Sequence, residues 1–224
     1  FEKQKQLGVI PGDTVLADRN PGVEPWESLS DNQQTFACRL QEAFAAILDH
    51  TDEQIGVLLE HLEAMNLKEN TIVILLSDNG ASQEGGPSGL LDEMKYFNMV
   101  PEDVDQAVEK LDDIGGPKSH TNYPWGWAQA GNCPMRWYKQ TTHGGGVRDP
   151  FIIRWPKGID NPGGKRDQFH HITDVMPTLL EILDISPPEV FNGKEQIEVA
   201  GTSFAYVLNS ENEPTRKNVQ YFEM

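Results

Sequence analysis

Thr71-Ile72-Val73-Ile74-Leu75-Leu76-Ser77-Asp78-Asn79-Gly80 is a continuous apolar, β-branched run closed by a turn signal. Its lack of alternation predicts a strand buried on both faces, the kind found in parallel sheets covered by helices. Upstream, Ser30 and Gln33 form a capping box in which each side chain serves the other's backbone amide. Phe36, Leu40, Phe44, Ile47, Leu48, Thr51, Ile55, Leu58, Leu62 and Met65 then recur at helical spacing. Asn66 and the charged run to Asn70 end that helix. A long helix feeding directly into such a strand is an α/β signature.

The rest of the chain reads outward from this unit. Phe151-Ile152-Ile153-Arg154-Trp155 predicts a second strand, stopped by Pro156. Residues 173–183 predict a helix with Pro177 early, where its missing N–H costs little, and with Met176, Leu179, Leu180 and Leu183 as the apolar face. Residues 102–111 read as a short polar helical insertion. Residues 8–29, 80–89 and 115–134, rich in Gly and Pro, read as irregular. From Ser186 onward the chain is loop-like, with a strand expected over 218–222. Phe1 to Lys5 read as the tail of a helix that began earlier, so a missing targeting signal carries no information.

At 224 residues the chain is long enough for one domain with a real core. Apolar residues make up 38%, below the soluble average, which fits a loop-rich enzyme or a piece whose hydrophobic partner surface is elsewhere. A formal net charge of −17 argues against nucleic acid and anionic membrane surfaces as partners. It does not exclude a small anionic substrate, because a pocket's local field can oppose the global charge. No stretch approaches the ~18 apolar residues of a membrane span. Cys38 and Cys133 match no metal-ligand spacing, and Cys38 is expected to be buried on the long helix's apolar face; a disulfide between the two stays open.

Two segments carry chemistry. Asp78 and Asn79 stand directly after the first strand, and in open α/β sheets ligands bind beyond the carboxyl ends of strands. A carboxylate and an amide oxygen are hard donors suited to calcium or magnesium, although Asp-Asn-Gly is also an ordinary turn sequence. Lys139-Gln140-Thr141-Thr142-His143-Gly144-Gly145-Gly146-Val147-Arg148 runs straight into the second strand. Lys139 and His143 bring a cation and a titratable ring to one loop, where they suit holding an anionic oxygen and protonating a leaving group. The bland reading is a Gly-rich connection with a solvated lysine. One of His170 and His171 reads as a packing or capping residue, His50 and His61 as solvated on the long helix, and Trp125, Trp127 and Trp137 as packing residues.

Taken in order, these segments resemble the sulfatase family, the arylsulfatases in particular. The residues that carry the resemblance are 71–80, Asn132-Cys-Pro-Met-Arg-Trp-Tyr-Lys-Gln-Thr-Thr-His143 with its continuation to Ile159, Phe169 to Leu183, Asn192 to Gln196, and Gly201 to Tyr206. The resemblance implies an α/β fold, an alkaline-phosphatase-like sandwich with a mostly parallel central sheet. It implies that Asp78 and Asn79 are ligands of Ca2+, that Lys139 binds a sulfate oxygen and the bridging ester oxygen, and that His143 lies in the active-site loop. The implied substrate is a small-molecule sulfate ester, and the implied compartment is periplasmic or secreted.

The chain departs from the family pattern where Gly144 stands for the usual Glu and Asp149 for an uncharged residue. The larger departure is the nucleophile. Sulfatases make a formylglycine from Cys or Ser within Cys/Ser-x-Pro-x-Arg, and neither Cys38 nor Cys133 lies in that motif. The resemblance therefore makes residues 1–224 one partial catalytic domain, truncated at both ends, whose partner is the missing N-terminal half of the same protein. The alternatives are a phosphoesterase or phosphonate hydrolase of the same superfamily, and a non-catalytic calcium-binding fragment.

Overall fold

The computed structural model describes residues 1–223. Its helices and strands run α1 (Glu2–Gln6), α2 (Asp31–Ala64), β1 (Val73–Leu76), α3 (Met94–Phe97), α4 (Val104–Ala107), α5 (Trp125–Gly131), α6 (Gly144–Val147), β2 (Phe151–Arg154), α7 (Val175–Ile182), β3 (Val190–Phe191) and β4 (Lys194–Glu195). The capping box forms as expected: Ser30 N donates to Gln33 Oε1 at 2.8 Å, and Gln33 N to Ser30 Oγ at 3.2 Å. The strands expected from the runs starting at Thr71 and Phe151 form, and they pair with each other in a two-stranded sheet. The amide of Ser77 donates to Pro150 O and that of Lys157 to Glu69 O, so the end of β1 meets the start of β2 and the two run antiparallel. A mostly parallel central sheet is thus not shown among the described residues. Nor is β1 buried on both faces: Leu75 is 46% exposed and Leu76 38%, because β2 is its one sheet neighbour here.

The chain forms two compact units. The first comprises Phe1–His61 and Leu75–Ile152. Its core gathers Phe36, Leu40 and Ala43 of α2 with Ala107, Ile114, Tyr123, Ala128 and Tyr138. Only the first turns of α2 find this cover, while Ile47, Leu48 and Leu58 farther along stay exposed. Cys38 is exposed, against expectation, because it sits two residues from both Phe36 and Leu40 and so points about 200° away from them around the helix. Both cysteines are free thiols. The stretch 115–134 is not wholly irregular: Trp125–Gly131 is helical, begun after Pro124, and its two tryptophans are fixed by hydrogen bonds from Trp127 Nε1 to Ala37 O and Trp125 Nε1 to Gln83 O. They are packing residues, as expected.

The second unit comprises Leu62–Ile74 and Ile153–Glu223. Phe204, Val207 and Leu208 form its core with Ile153, Trp155 and Val175 against them. On α7 the expected face is half right: Leu179 and Leu180 are partly buried, Met176 and Leu183 are exposed, and the fully buried residues of this region are Asp174 and Thr178. They are buried because they are satisfied. Asp174 accepts from the amides of His171 and Thr202 and from Lys217 Nζ, each at 2.8 Å, and Thr178 Oγ1 links Asp174 O to the amide of Phe204. His171 caps the turn that leads into α7 and His170 packs on Phe204, 4.9 Å between ring centroids. The segment 218–222 forms no strand; instead Lys217, just before it, is drawn in by Asp174.

That pair sets a testable pH dependence. Burial pushes the Asp174 carboxyl up, but the hydrogen bond from Lys217 and the two amides outweigh it, and the group lies below its ordinary value. Its contribution to stability is therefore present above the ordinary carboxylate range and lost as pH falls through the lowered value. Replacing Lys217 with Met leaves a fully buried charge without its cation and is expected to cost about 3 kcal/mol in urea unfolding at pH 7. The cost should shrink as the medium is acidified, because the unpaired carboxyl of the variant takes up its proton at higher pH than the paired one of the wild type, and it should be gone once pH falls below the lowered value of the paired group. A cost that does not change with pH would show that the ion pair is not its source.

Candidate active site

The two segments singled out for chemistry lie in the first unit and are sewn together by backbone and by one asparagine. The amide of Gly80 donates to Gly146 O at 3.2 Å, and that of Lys139 to Ala81 O at 3.0 Å. Asn132 completes the join: its Oδ1 accepts from Ala81 N at 3.1 Å, while its Nδ2 donates to Trp137 O at 3.0 Å and to Gly145 O at 2.7 Å. The turn that carries Asp78 and Asn79 and the loop that carries Lys139 are thus one structure.

Close backbone approach explains the glycines. A Cβ on Gly80 would stand 1.7 Å from Gly145 O, and one on Gly145 would stand 1.9 Å from Trp137 O. Tight packing accounts for Gly145 and Gly146. On the Lys139 loop, Trp137 and Gln140 adopt positive φ of 65° and 66°, which favours glycine. Left-handed backbone at a non-glycine residue stores about 1–3 kcal/mol and persists where surrounding contacts enforce it, often at functional sites.

Asp78 is exposed at the tip of the turn, while Asn79 is half-buried, its Nδ2 donating to Gly80 O at 3.0 Å. Asp149 comes close enough to Asp78 to sense its charge. Burial first, and repulsion from Asp78 second, push the Asp149 carboxyl up to about 6. Two carboxylates held in mutual repulsion, with an amide oxygen beside them, are what a hard cation would relieve. Among the described residues there is no group of three or more His, Cys, Asp or Glu side chains placed to hold a metal. Since Ca2+ takes about six to eight oxygen ligands, Asp78 and Asn79 fit part of such a site and not the whole of one.

Lys139 is not the solvated lysine of the bland reading. Its ammonium lies 2.8 and 2.9 Å from the two oxygens of Glu84, a buried carboxylate. His143 is exposed at the start of α6, its ring tilted against Trp137 at 5.9 Å. Sequence reasoning missed Glu84, Asn132 and Asp149 as site residues. Asp149 was visible as an unusual charge, and Asn132 lay within the quoted motif. Glu84 had no signal, since it meets Lys139 across 55 residues of chain.

Helices, short strands and a turn and loop that carry an aspartate, an asparagine and a lysine define a partial α/β domain. Residues 17–185 match the sulfatase family, and the chain belongs to it. It is 32% identical over 199 residues to an uncharacterized sulfatase of Schizosaccharomyces pombe, covering 88% of this chain and 35% of that protein. It is 31% identical over 204 residues to an arylsulfatase of Klebsiella aerogenes, covering 91% and 42%. An N-acetylgalactosamine-6-sulfatase of Homo sapiens is 28% identical over 137 residues, 61% of this chain and 19% of that protein. The chain therefore spans less than half the length of these curated relatives.

Proposed function

We propose that the protein carrying this chain hydrolyses sulfate esters, and that residues 1–224 form part of its catalytic domain, completed by an N-terminal half that supplies the nucleophile. The whole domain would be the alkaline-phosphatase-like sandwich with its mostly parallel sheet. The observation that supports this most is the Lys139 loop, held by Asn132 against the Asp78-Asn79 turn.

In this reading Lys139 donates to a sulfate oxygen and to the bridging ester oxygen, where negative charge grows as the S–O bond breaks. His143, exposed on the same loop, is the candidate for proton transfer to the departing oxygen. Asp78 and Asn79 would hold Ca2+, which when bound supplies the positive charge that neutralises the sulfate. A formylglycine in the N-terminal half would supply the attacking oxygen. The charges of this chain support a cation in the scheme: the carboxylates of Asp78, Glu84 and Asp149 outnumber the ammonium of Lys139, which a bound cation would offset.

The test is an assay of the full-length protein on an aryl sulfate, the matching aryl phosphate and an aryl phosphonate, with released sulfate and phosphate measured directly. Sulfate release at a kcat/KM at least a hundredfold above that for the other two is expected. Preference for phosphate or phosphonate would move the protein to the phosphoesterases of the same superfamily. No hydrolysis, with Ca2+ still bound, would leave a non-catalytic calcium-binding protein.

A further inference from the structure

The site holds a buried acid that the scheme above does not use. Glu84 is 8% exposed, and an acidic side chain is almost never so buried unless it is paired. Both of its oxygens face the Lys139 ammonium. Ser82 Oγ donates to Oε2 at 3.1 Å, and Gln140 Nε2 to Oε1 at 3.3 Å. Ser82 is in turn held by Asn122 Nδ2 at 3.1 Å.

The backbone behind Glu84 has little room to move. Gly85 lies against the Tyr123 carbonyl so closely that a Cβ would come within 1.9 Å of it, and Trp125 Nε1 clamps Gln83 O at 2.7 Å. The lysine is the more exposed partner, with 31% of its side chain exposed against 11% for that of Glu84. Rigidity thus passes from acid to base: the carboxylate is fixed by the fold, and the long, rotamer-rich lysine is fixed by the carboxylate.

An ammonium has three donors. Two are taken by the oxygens of Glu84, which leaves one N–H, shared between the sulfate oxygen and the bridging oxygen, to meet a substrate. The pair is formally neutral, so it presents an oriented donor to the anion rather than a free charge. A donor fixed before the reaction costs no reorganisation when charge develops in front of it. We infer that Glu84 is the positioning residue of Lys139: it touches no substrate and acts by aiming the remaining N–H at the sulfate. This rests on the role proposed for Lys139.

A double-mutant cycle in the full-length protein tests it, with kcat and KM on an aryl sulfate and the inhibition constant of inorganic sulfate as readouts. Glu84→Gln keeps the shape and removes the charge. It is expected to lower kcat by about tenfold to a hundredfold, the range for a misplaced catalytic group, with KM within about threefold. Glu84→Asp keeps the charge and should recover part of the loss. Once Lys139 is Ala, adding Glu84→Gln should change kcat by no more than about twofold, because the two residues act as one unit. Inorganic sulfate should bind Glu84→Gln no more weakly than the wild type, because a carboxylate has left the site, and the double variant no more weakly than Lys139→Ala.

Equal losses from Glu84→Gln with and without Lys139 would overturn the inference while leaving the lysine's own role intact. An unchanged kcat in Glu84→Gln would overturn it as well. An unchanged kcat in Lys139→Ala is a different result: it removes the role of the lysine, and the inference with it. If Glu84→Gln does not fold, as judged by its thermal unfolding, the cycle is run with Glu84→Asp, where a several-fold loss that vanishes in the Lys139→Ala background is expected and an additive loss overturns the idea.

Discussion

Replacing Lys139 with Ala in the full-length protein is expected to lower kcat on an aryl sulfate by about a thousandfold, close to 4 kcal/mol of transition-state stabilisation, with KM changed by less than about tenfold. The split follows from where the donor acts. In the ground state the sulfate's charge is spread over its outer oxygens, and one N–H more or less changes binding modestly. As the ester bond breaks, charge gathers on the bridging oxygen, and a donor fixed beside it is worth most at that moment. The variant also leaves Glu84 buried without its cation, so thermal unfolding must be followed alongside; a lower melting temperature is expected, and kcat is compared well below it. A kcat within threefold of the wild type would remove Lys139 from the chemistry.

The parts of this chain that were legible in the sequence are those governed by local rules. The capping box of Ser30 and Gln33, the long helix, the two strands and the stop at Pro156 all follow from neighbours within a few residues, and all formed. The errors arose where the outcome depends on what lies across space. β1 reads as a strand covered on both faces because its composition answers to a complete sheet, yet Leu75 and Leu76 are exposed where β2 is the one neighbour. Cys38 was placed on the wrong side of α2 because its small apolar character was weighed above its angle from Phe36 and Leu40. At α7 Leu179 and Leu180 are partly buried as read, but the fully buried positions belong to Asp174 before it and Thr178 on it, polar residues whose partners lie 26 to 43 residues away.

The candidate site divides in the same way. Asp78, Asn79, Lys139 and His143 were visible because each sits in a short run of unusual composition. Glu84 and Asn132, which give the site its shape, were not, because their roles consist of distant hydrogen bonds. Why Gly80 and Gly145 must be glycine was not legible either, because it depends on the carbonyl that faces each of them.

Asp78→Ala is the second large effect, and it tests the cation rather than the lysine. In the full-length protein the substitution is expected to abolish stoichiometric Ca2+ binding at micromolar free calcium, measured by calorimetry on the chelator-treated protein, and to lower kcat/KM by about a thousandfold or more. The argument is electrostatic. Asp149 is raised to about 6 by burial and by the charge of Asp78, so the two acids already destabilise each other in the absence of a counter-ion. Removing Asp78 relieves that repulsion: the protein should be no less stable, and Asp149 should titrate at lower pH than it does beside Asp78. If Asp78 served only as a turn residue, replacement by Asn, which suits the same turn, would preserve both calcium and activity. If it is a ligand, Asn supplies a neutral oxygen in place of a carboxylate, and calcium affinity should fall by at least tenfold. Full calcium occupancy and full activity in the Asp78→Asn variant would return the segment to an ordinary turn and leave the charge of the sulfate to be met from elsewhere in the protein.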